Sequence, residues 1–255
     1  MAIRTSARRD GIMQLAKSKG FVRSSELSDI FGVSTVTIRQ DLDFLGNQGL
    51  LQKTYGGAIA HGEPTLDSEF SQRAMDHADQ KQRIGARAAS LIKSGETILL
   101  DAGSTTIEIA KRLPENADIT VVTCAINVAM EAVKRVGVSV VLCGGALNPR
   151  TLSVSGPYVD QALEYFHADR LFLATYSVSI EKGLGERNFS GAQTKRSLLQ
   201  SAQQITLVCD ASKFGATSPV VIASLDVVQH VITDGGVPQE YIDFFGNRQI
   251  EMDVV

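Results

Sequence analysis

Cysteine is scarce in this 255-residue chain: Cys124, Cys143 and Cys209 lie far apart, each in a Val/Leu-rich run. An odd number at such spacing suits buried thiols in a reducing compartment better than disulfides or metal ligation. The four histidines, His61, His77, His167 and His230, show no ligand spacing, so no metal site is expected. No apolar run approaches the ~18 residues that span a bilayer. The leading MAIRTSARRDGIMQ lacks the apolar stretch of a secretory signal. Internal repeats and low-complexity tracts are also missing. The expectation is a cytoplasmic globular protein without membrane contact, and with 44% apolar and 21% charged residues a sizeable core is within reach.

Net charge is only -3, but it is unevenly placed. Met1 to Gly57 holds eight Lys/Arg against five Asp/Glu, and the remainder holds 17 against 23. A basic front on an acidic body suggests an anionic partner for the front alone.

Two patterns divide the chain. From about Ser6 to Ala60 the signals are helical. Arg8 to Lys19 carries Ile12, Leu15 and Ala16 at helical spacing, and Gly20 stops it. Ser24 is expected to N-cap a second helix bearing Leu27, Ile30 and Phe31. Gly32 supplies a turn, Ser34 caps a third helix, and LLQKTYGGAI reads as a small hairpin around Gly56-Gly57. Three helices and a hairpin in this order make a winged helix-turn-helix, assigned to residues 1–60. Residues 61–80, which begin with HGEPTLDSEF, lose periodicity and read as a linker. Residues 81–255 alternate apolar strands (ETILLDAG as strand and turn, then ITVVTCA, VSVVLCGG, DRLFLAT, ITLVCDAS, HVITDGG and a terminal QIEMDVV) with helical segments. Strands this apolar are expected to be buried on both faces of a mostly parallel, helix-covered sheet, an α/β fold.

Within GVSTVTIRQDLDFL, Gly32 to Leu45, the residues Ile38, Leu42 and Leu45 form the inward stripe. Val36 and Gln40 then point outward, flanked by Thr37 and Arg39. Glutamine pairs bidentately with adenine, valine touches a thymine methyl, and arginine or threonine bonds guanine or phosphate. Asp43 is placed to hold Arg39 through an i,i+4 pair, and Lys53 and Tyr55 of the wing are placed to reach the backbone of duplex DNA. The plainer alternative is a surface helix of an unrelated subdomain.

The motif S-x-x-T-I-R-x-D-L, here Ser34, Thr37, Ile38, Arg39, Asp41 and Leu42, is followed by G-L and the wing's Y-G-G-A. It resembles the DeoR-type bacterial repressors, and most closely the regulators of amino-sugar and sugar-alcohol catabolism. The resemblance covers nearly the whole chain. It implies that Ser34, Thr35, Val36, Thr37, Arg39 and Gln40 face operator DNA.

A second site is suggested by DAGSTT, Asp101 to Thr106, between the strand TILL and the helical TIEIAKRL. Backbone N–H groups of a Gly-Ser-Thr turn at a helix start form an anion cradle, and the carboxyl ends of open α/β sheets bind ligands. Neither the lysine nor the spacing of a P-loop is present, and no cofactor is expected. The resemblance implies a sensor domain similar to ribose-5-phosphate isomerase that binds a sugar phosphate or related catabolite. Its matching positions are Asp101, Gly103, Ser104, Thr105, Thr106, Asn127, Gly144, Gly145, Lys195 and Lys213. The two lysines are suited to neutralising phosphate, or else are solvated surface residues, and Gly144-Gly145 is alternatively a plain strand-end turn.

The chain departs from that family where G-x-D-G-I and T-x-N-E-x-E usually follow the strand LFL. Tyr176 replaces the usual aspartate, Phe189, Ser190 and Gly191 stand where acids are common, and Asn188 is kept. The effector is therefore different or less rich in hydroxyls, or has been lost. The expected function is a repressor of a carbohydrate operon, relieved by a phosphorylated sugar and acting as a dimer or larger homo-oligomer. The rival is a sugar-phosphate isomerase with an appended helical domain. It lacks a carboxylate base in the segment from Tyr176 to Gly191 where the fold would place one, although Glu181 and Glu186 fall within it.

Overall fold

The computed structural model of the protein describes residues 5–60 and 68–255. They fall into two units, Met1–Met75 and Asp76–Val255. In the first, α1 (Thr5–Lys19) leads through β1 (Phe21–Arg23) into α2 (Ser24–Phe31) and α3 (Thr35–Asn47). The hairpin β2 (Leu51–Thr54) and β3 (Gly57–Ala60) follows, then α4 (Ser68–Met75). Ile12, Ala16, Leu27, Ile38, Leu42 and Leu45 meet in one core, as their helical spacing requires.

Gly32 ends α2 in the left-handed region at φ +62°, and Ser34 caps α3 by accepting the Thr37 N–H at 3.2 Å. Ser24 does not cap α2. The chain enters this helix directly from β1, which pairs antiparallel with β3, and the Ser24 N–H donates to the Gly56 carbonyl at 2.9 Å. The wing sheet is thus three-stranded, in the order β1-β3-β2. Of the stretch read as a linker, residues 61–67 lie outside the described residues, Ser68–Met75 is helical, and the next helix begins at Ala78.

The second unit opens with α5 (Ala78–Ala89), β4 (Thr97–Leu100), α6 (Thr106–Ala110), β5 (Ile119–Thr123), α7 (Ile126–Ala132) and β6 (Val138–Leu142). A small hairpin, β7 (Ala146–Asn148) and β8 (Ser153–Ser155), precedes α8 (Pro157–Leu163) and β9 (Ala168–Leu173). Then come β10 (Ser177–Ser179), β11 (Gly183–Glu186), α9 (Phe189–Gln200), β12 (Ala202–Val208) and β13 (Val220–Ala223). The chain closes with β14 (His230–Thr233), α10 (Gln239–Asn247) and β15 (Glu251–Val254).

Seven strands form one sheet in the order β15-β14-β12-β9-β4-β5-β6, every pair parallel. From β4 the chain runs outward to β5 and β6, then returns to β9 and runs outward the other way. The carboxyl ends of β4 and β9 therefore flank a topological switch point, where open α/β sheets bind ligands. Burial on both faces holds for the central strands but not for β6. It is an edge strand, and Val141 and Leu142 are exposed although their sequence is as apolar as that of β5. A separate antiparallel sheet, β10-β11-β13, stands beyond β9.

Candidate functional site

Helix α3 presents Ser34, Thr35, Val36, Arg39 and Gln40 to solvent, with Thr37 half-buried and Val36 59% exposed. Ser34 and Thr37 are partly engaged with each other, their hydroxyl oxygens 2.9 Å apart in the cap. Tyr55 stands fully exposed at the wing tip. Asp43 does not hold Arg39. It pairs with Lys53, reaching from β2, which packs alongside α3 and ties the wing to that helix. Arg39 is left with no ion pair among the described residues.

Asp41, within the same motif, turns inward. It is buried and accepts from Arg8 Nε at 2.6 Å and Arg9 Nε at 2.7 Å, while the Arg9 guanidinium lies 3.8 Å from the centre of the Phe44 ring. Two guanidiniums of α1 thus fix the orientation of α3. Helical periodicity placed Asp41 beside the core stripe, but its partners lie about 32 residues earlier in the chain.

In the second unit all the candidate ligand residues gather at one edge of the sheet. Asp101 to Thr106 follow β4, Asn127 follows β5, Gly144 and Gly145 follow β6, Lys213 follows β12, and Lys195 lies on α9. Direct contacts join only some of them. Asp101 is buried at the switch point, accepting from the N–H groups of Ala102 at 2.7 Å and Ala174 at 3.0 Å. Lys195 reaches it from α9 as a buried ion pair and also donates to the Ala174 carbonyl at 2.9 Å. Gly103 is required here because a Cβ would stand 2.8 Å from that of Ala174.

Glu186, which sequence reasoning set aside, completes the cluster. It is buried at the end of β11 with an oxygen 3.6 Å from Lys195 Nζ, and its other oxygen accepts the Arg187 N–H at 2.7 Å. Burial opposes the charge on Lys195, but Asp101 and Glu186 outweigh it and raise the lysine above its ordinary pKa. Lys195 is consequently not the unengaged cation the sequence suggested. Its charge is matched by carboxylates, and it organises the turn after β4. Lys213 is half-buried and only loosely paired, 3.9 Å from Asp210.

Helix α6 comprises only five residues, so the dipole expected behind DAGSTT adds little, and any anion held there depends on local N–H and hydroxyl donors. The Asn127 side chain accepts the Val128 N–H at 3.0 Å, while its buried Nδ2 has no hydrogen-bond partner among the described residues. Gly144 faces open space, whereas a Cβ on Gly145 would meet the Ser155 carbonyl oxygen at 2.7 Å. Close packing therefore accounts for Gly145, and the pair divides between two roles. Tyr176 is half-buried, and the Arg187 guanidinium lies 4.4 Å from its ring centre. Asn188 caps α9, accepting the Gly191 N–H at 2.8 Å.

Comparison with known proteins gives two family matches: a DeoR-like helix-turn-helix domain over residues 8–63 and a DeoR C terminal sensor domain over residues 76–235. A putative aga operon transcriptional repressor of Escherichia coli O157:H7 is 32% identical over 98% of this chain and 93% of its own. The glycerol-3-phosphate regulon repressor of Escherichia coli K12 is 28% identical over 99% of this chain and 100% of its own. Among solved structures, ribose 5-phosphate isomerase A of Methanocaldococcus jannaschii matches 54% of this chain and 55% of its own, with 16% identity and a TM-score of 0.40.

Proposed function

The chain belongs to the DeoR family of transcriptional regulators, and from that premise we propose that it represses a carbohydrate catabolic operon and is released by a phosphorylated sugar derivative. Its relatives along the full length are named as regulators, not enzymes. The observation that carries the DNA-reading half is the outward side of α3, where Val36, Arg39 and Gln40 are exposed and Arg39 has no ion pair among the described residues. Such tips fit a major groove: glutamine reads adenine, valine a thymine methyl, and the guanidinium guanine or phosphate. Lys53 and Tyr55 of the wing lie over the adjoining phosphates. The regulator works in the cytoplasm as a dimer or larger homo-oligomer, so that paired modules read repeated half-sites.

The ligand half rests on the switch-point cluster. The anchored turn Gly103 to Thr106, the Asn127 Nδ2 with no partner among the described residues, the open Gly144 and the loosely held Lys213 provide donors and one cation for a phosphorylated ligand. Ligand that favours the DNA-incompetent state by ~1–3 kcal/mol would weaken operator binding by about 5- to 150-fold. Titrating the full chain into operator DNA at several salt concentrations, with and without a panel of sugar phosphates, tests both halves. Arg39→Ala is expected to weaken binding and reduce the salt slope by about one. An unchanged affinity and slope would refute the groove assignment, and release by no member of the panel would refute the ligand assignment.

A further inference from the structure

We propose that Cys124 and Cys143 form a modification site, closing reversibly to a disulfide when a hydroperoxide reaches the ends of β5 and β6. The inference does not depend on the ligand reading. Strands β5 and β6 are parallel and in unbroken register up to Thr123 opposite Leu142, and the Cys143 N–H donates to the Thr123 carbonyl at 3.0 Å. The next residues along both strands are the two cysteines. Continued one residue past the two strand ends, that register sets their side chains next to each other on one face. Neighbouring strands are about 4.8 Å apart, inside the ~4.4–6.8 Å Cα window that a disulfide requires.

Both thiols are buried and reduced, and each perturbs the ionisation of the other. The neighbouring Cys143, with burial adding to it, pushes the Cys124 thiol up, and the neighbouring Cys124 pulls Cys143 down against its own burial. Cys143 is therefore the thiolate former. It is covered, but Leu142 before it and Gly144 after it are exposed, which leaves a short approach for a small oxidant. Cys209 differs. It follows β12, three places from β5 in the sheet, and burial pushes its thiol up.

The chemistry balances with one hydroperoxide. The Cys143 thiolate attacks the terminal peroxide oxygen, the O–O bond breaks, and the leaving oxygen departs with the electron pair and takes up a proton, giving Cys143 sulfenic acid. The Cys124 sulfur then attacks the sulfenic sulfur. An S–S bond forms, the S–O bond breaks, and hydroxide leaves with the Cys124 proton as water. Hydrogen peroxide is reduced to two waters and the two thiols are oxidised to one disulfide. The bridge would clamp the strand ends from which Asn127 and Gly144 project, and Cys124 already accepts the Val154 N–H of β8 at 2.7 Å.

The test is performed on the full chain with excess hydrogen peroxide, by intact mass, thiol titration after denaturation, and peptide mapping without reductant. The expected result is a mass loss of two hydrogens, a fall from three free thiols to one, and a linked peptide containing Cys124 and Cys143. Dithiothreitol should reverse all three changes. C209S should behave as wild type, and C124S and C143S, each checked for folding by circular dichroism, should form no link. Three persisting thiols, oxygen adducts without a cross-link, or a link through Cys209 or between chains would each overturn the proposal.

Discussion

Replacing Asp41 by alanine removes the one carboxylate that two arginines of α1 share. Asp41 is 2% exposed and the Arg8 side chain 8%, so the substitution removes a buried counter-charge from that guanidinium. Breaking a buried pair from one side costs about 3–5 kcal/mol. Arg9, one-quarter exposed, can turn to water and recover part of its loss. A unit of 75 residues has a total stability of about 4–11 kcal/mol, so the loss is a large fraction of the whole. At about 4–8 °C per kcal/mol for a domain of this size, the transition of the first unit should fall by ~12 °C or more. Hydrogen exchange of the full chain in increasing urea, read by mass spectrometry, separates the units. Peptides from Thr5–Asn47 should lose protection at lower urea in the variant, while those of β4, β9 and β12 keep the wild-type midpoint. The control is Glu26→Ala, which breaks the exposed Lys19–Glu26 pair and should change stability by about 0–1 kcal/mol. If both variants unfold with the same first-unit midpoint, Asp41 does not brace α3 and the account of that helix's orientation is wrong.

Other outcomes follow from the same geometry. Gln40→Ala should erase about 1–3 kcal/mol of preference at one base pair while leaving non-specific affinity unchanged, measured by competition with single-base operator variants. Lys195 is raised above its unfolded pKa, so the stability from its ion pairs is fully present below the ordinary lysine pKa of about 10.4 and is lost as pH climbs through the higher folded value. Alkaline unfolding should accordingly show a wild-type stability loss above about pH 10.4 that Lys195→Met lacks. Gly145→Ala forces a methyl against the Ser155 carbonyl and should destabilise by about 1–3 kcal/mol in urea melts. Gly144→Ala, facing open space, should melt as wild type and report only on ligand binding.

Much of the first unit was legible because its signals are local. The stripe of Ile38, Leu42 and Leu45, the Ser34 cap and the left-handed Gly32 each lie within one turn of what they control. Strand β1 was not legible, since three residues carry no period and become a strand only by pairing with β3. Helix α5 buries Lys81, Ile84, Gly85, Ala88 and Ala89, a correct stripe with only one large apolar side chain, so composition hid it. In the second unit the parallel strands announced themselves by apolar runs. The exposure of β6 did not, because position in the sheet decides what covers a strand. The site shows the same division. DAGSTT could be placed after its strand, but the meeting of Asp101, Lys195 and Glu186 depends on how β4, β11 and α9 converge, with Asp101 and Lys195 94 positions apart.

That separation sets a timetable for the growing polypeptide. Helices α1 to α3 and the wing of the first unit are complete once Ala60 has been made, so they are free to fold while the remainder is still being synthesised. Strand β4 is made early, yet one of its two sheet neighbours, β9, and the lysine that neutralises Asp101 emerge far later. Until Lys195 leaves the ribosome, the carboxyl end of β4 carries an acid still waiting for its lysine partner, and the nascent second unit stands half-assembled behind a finished first one.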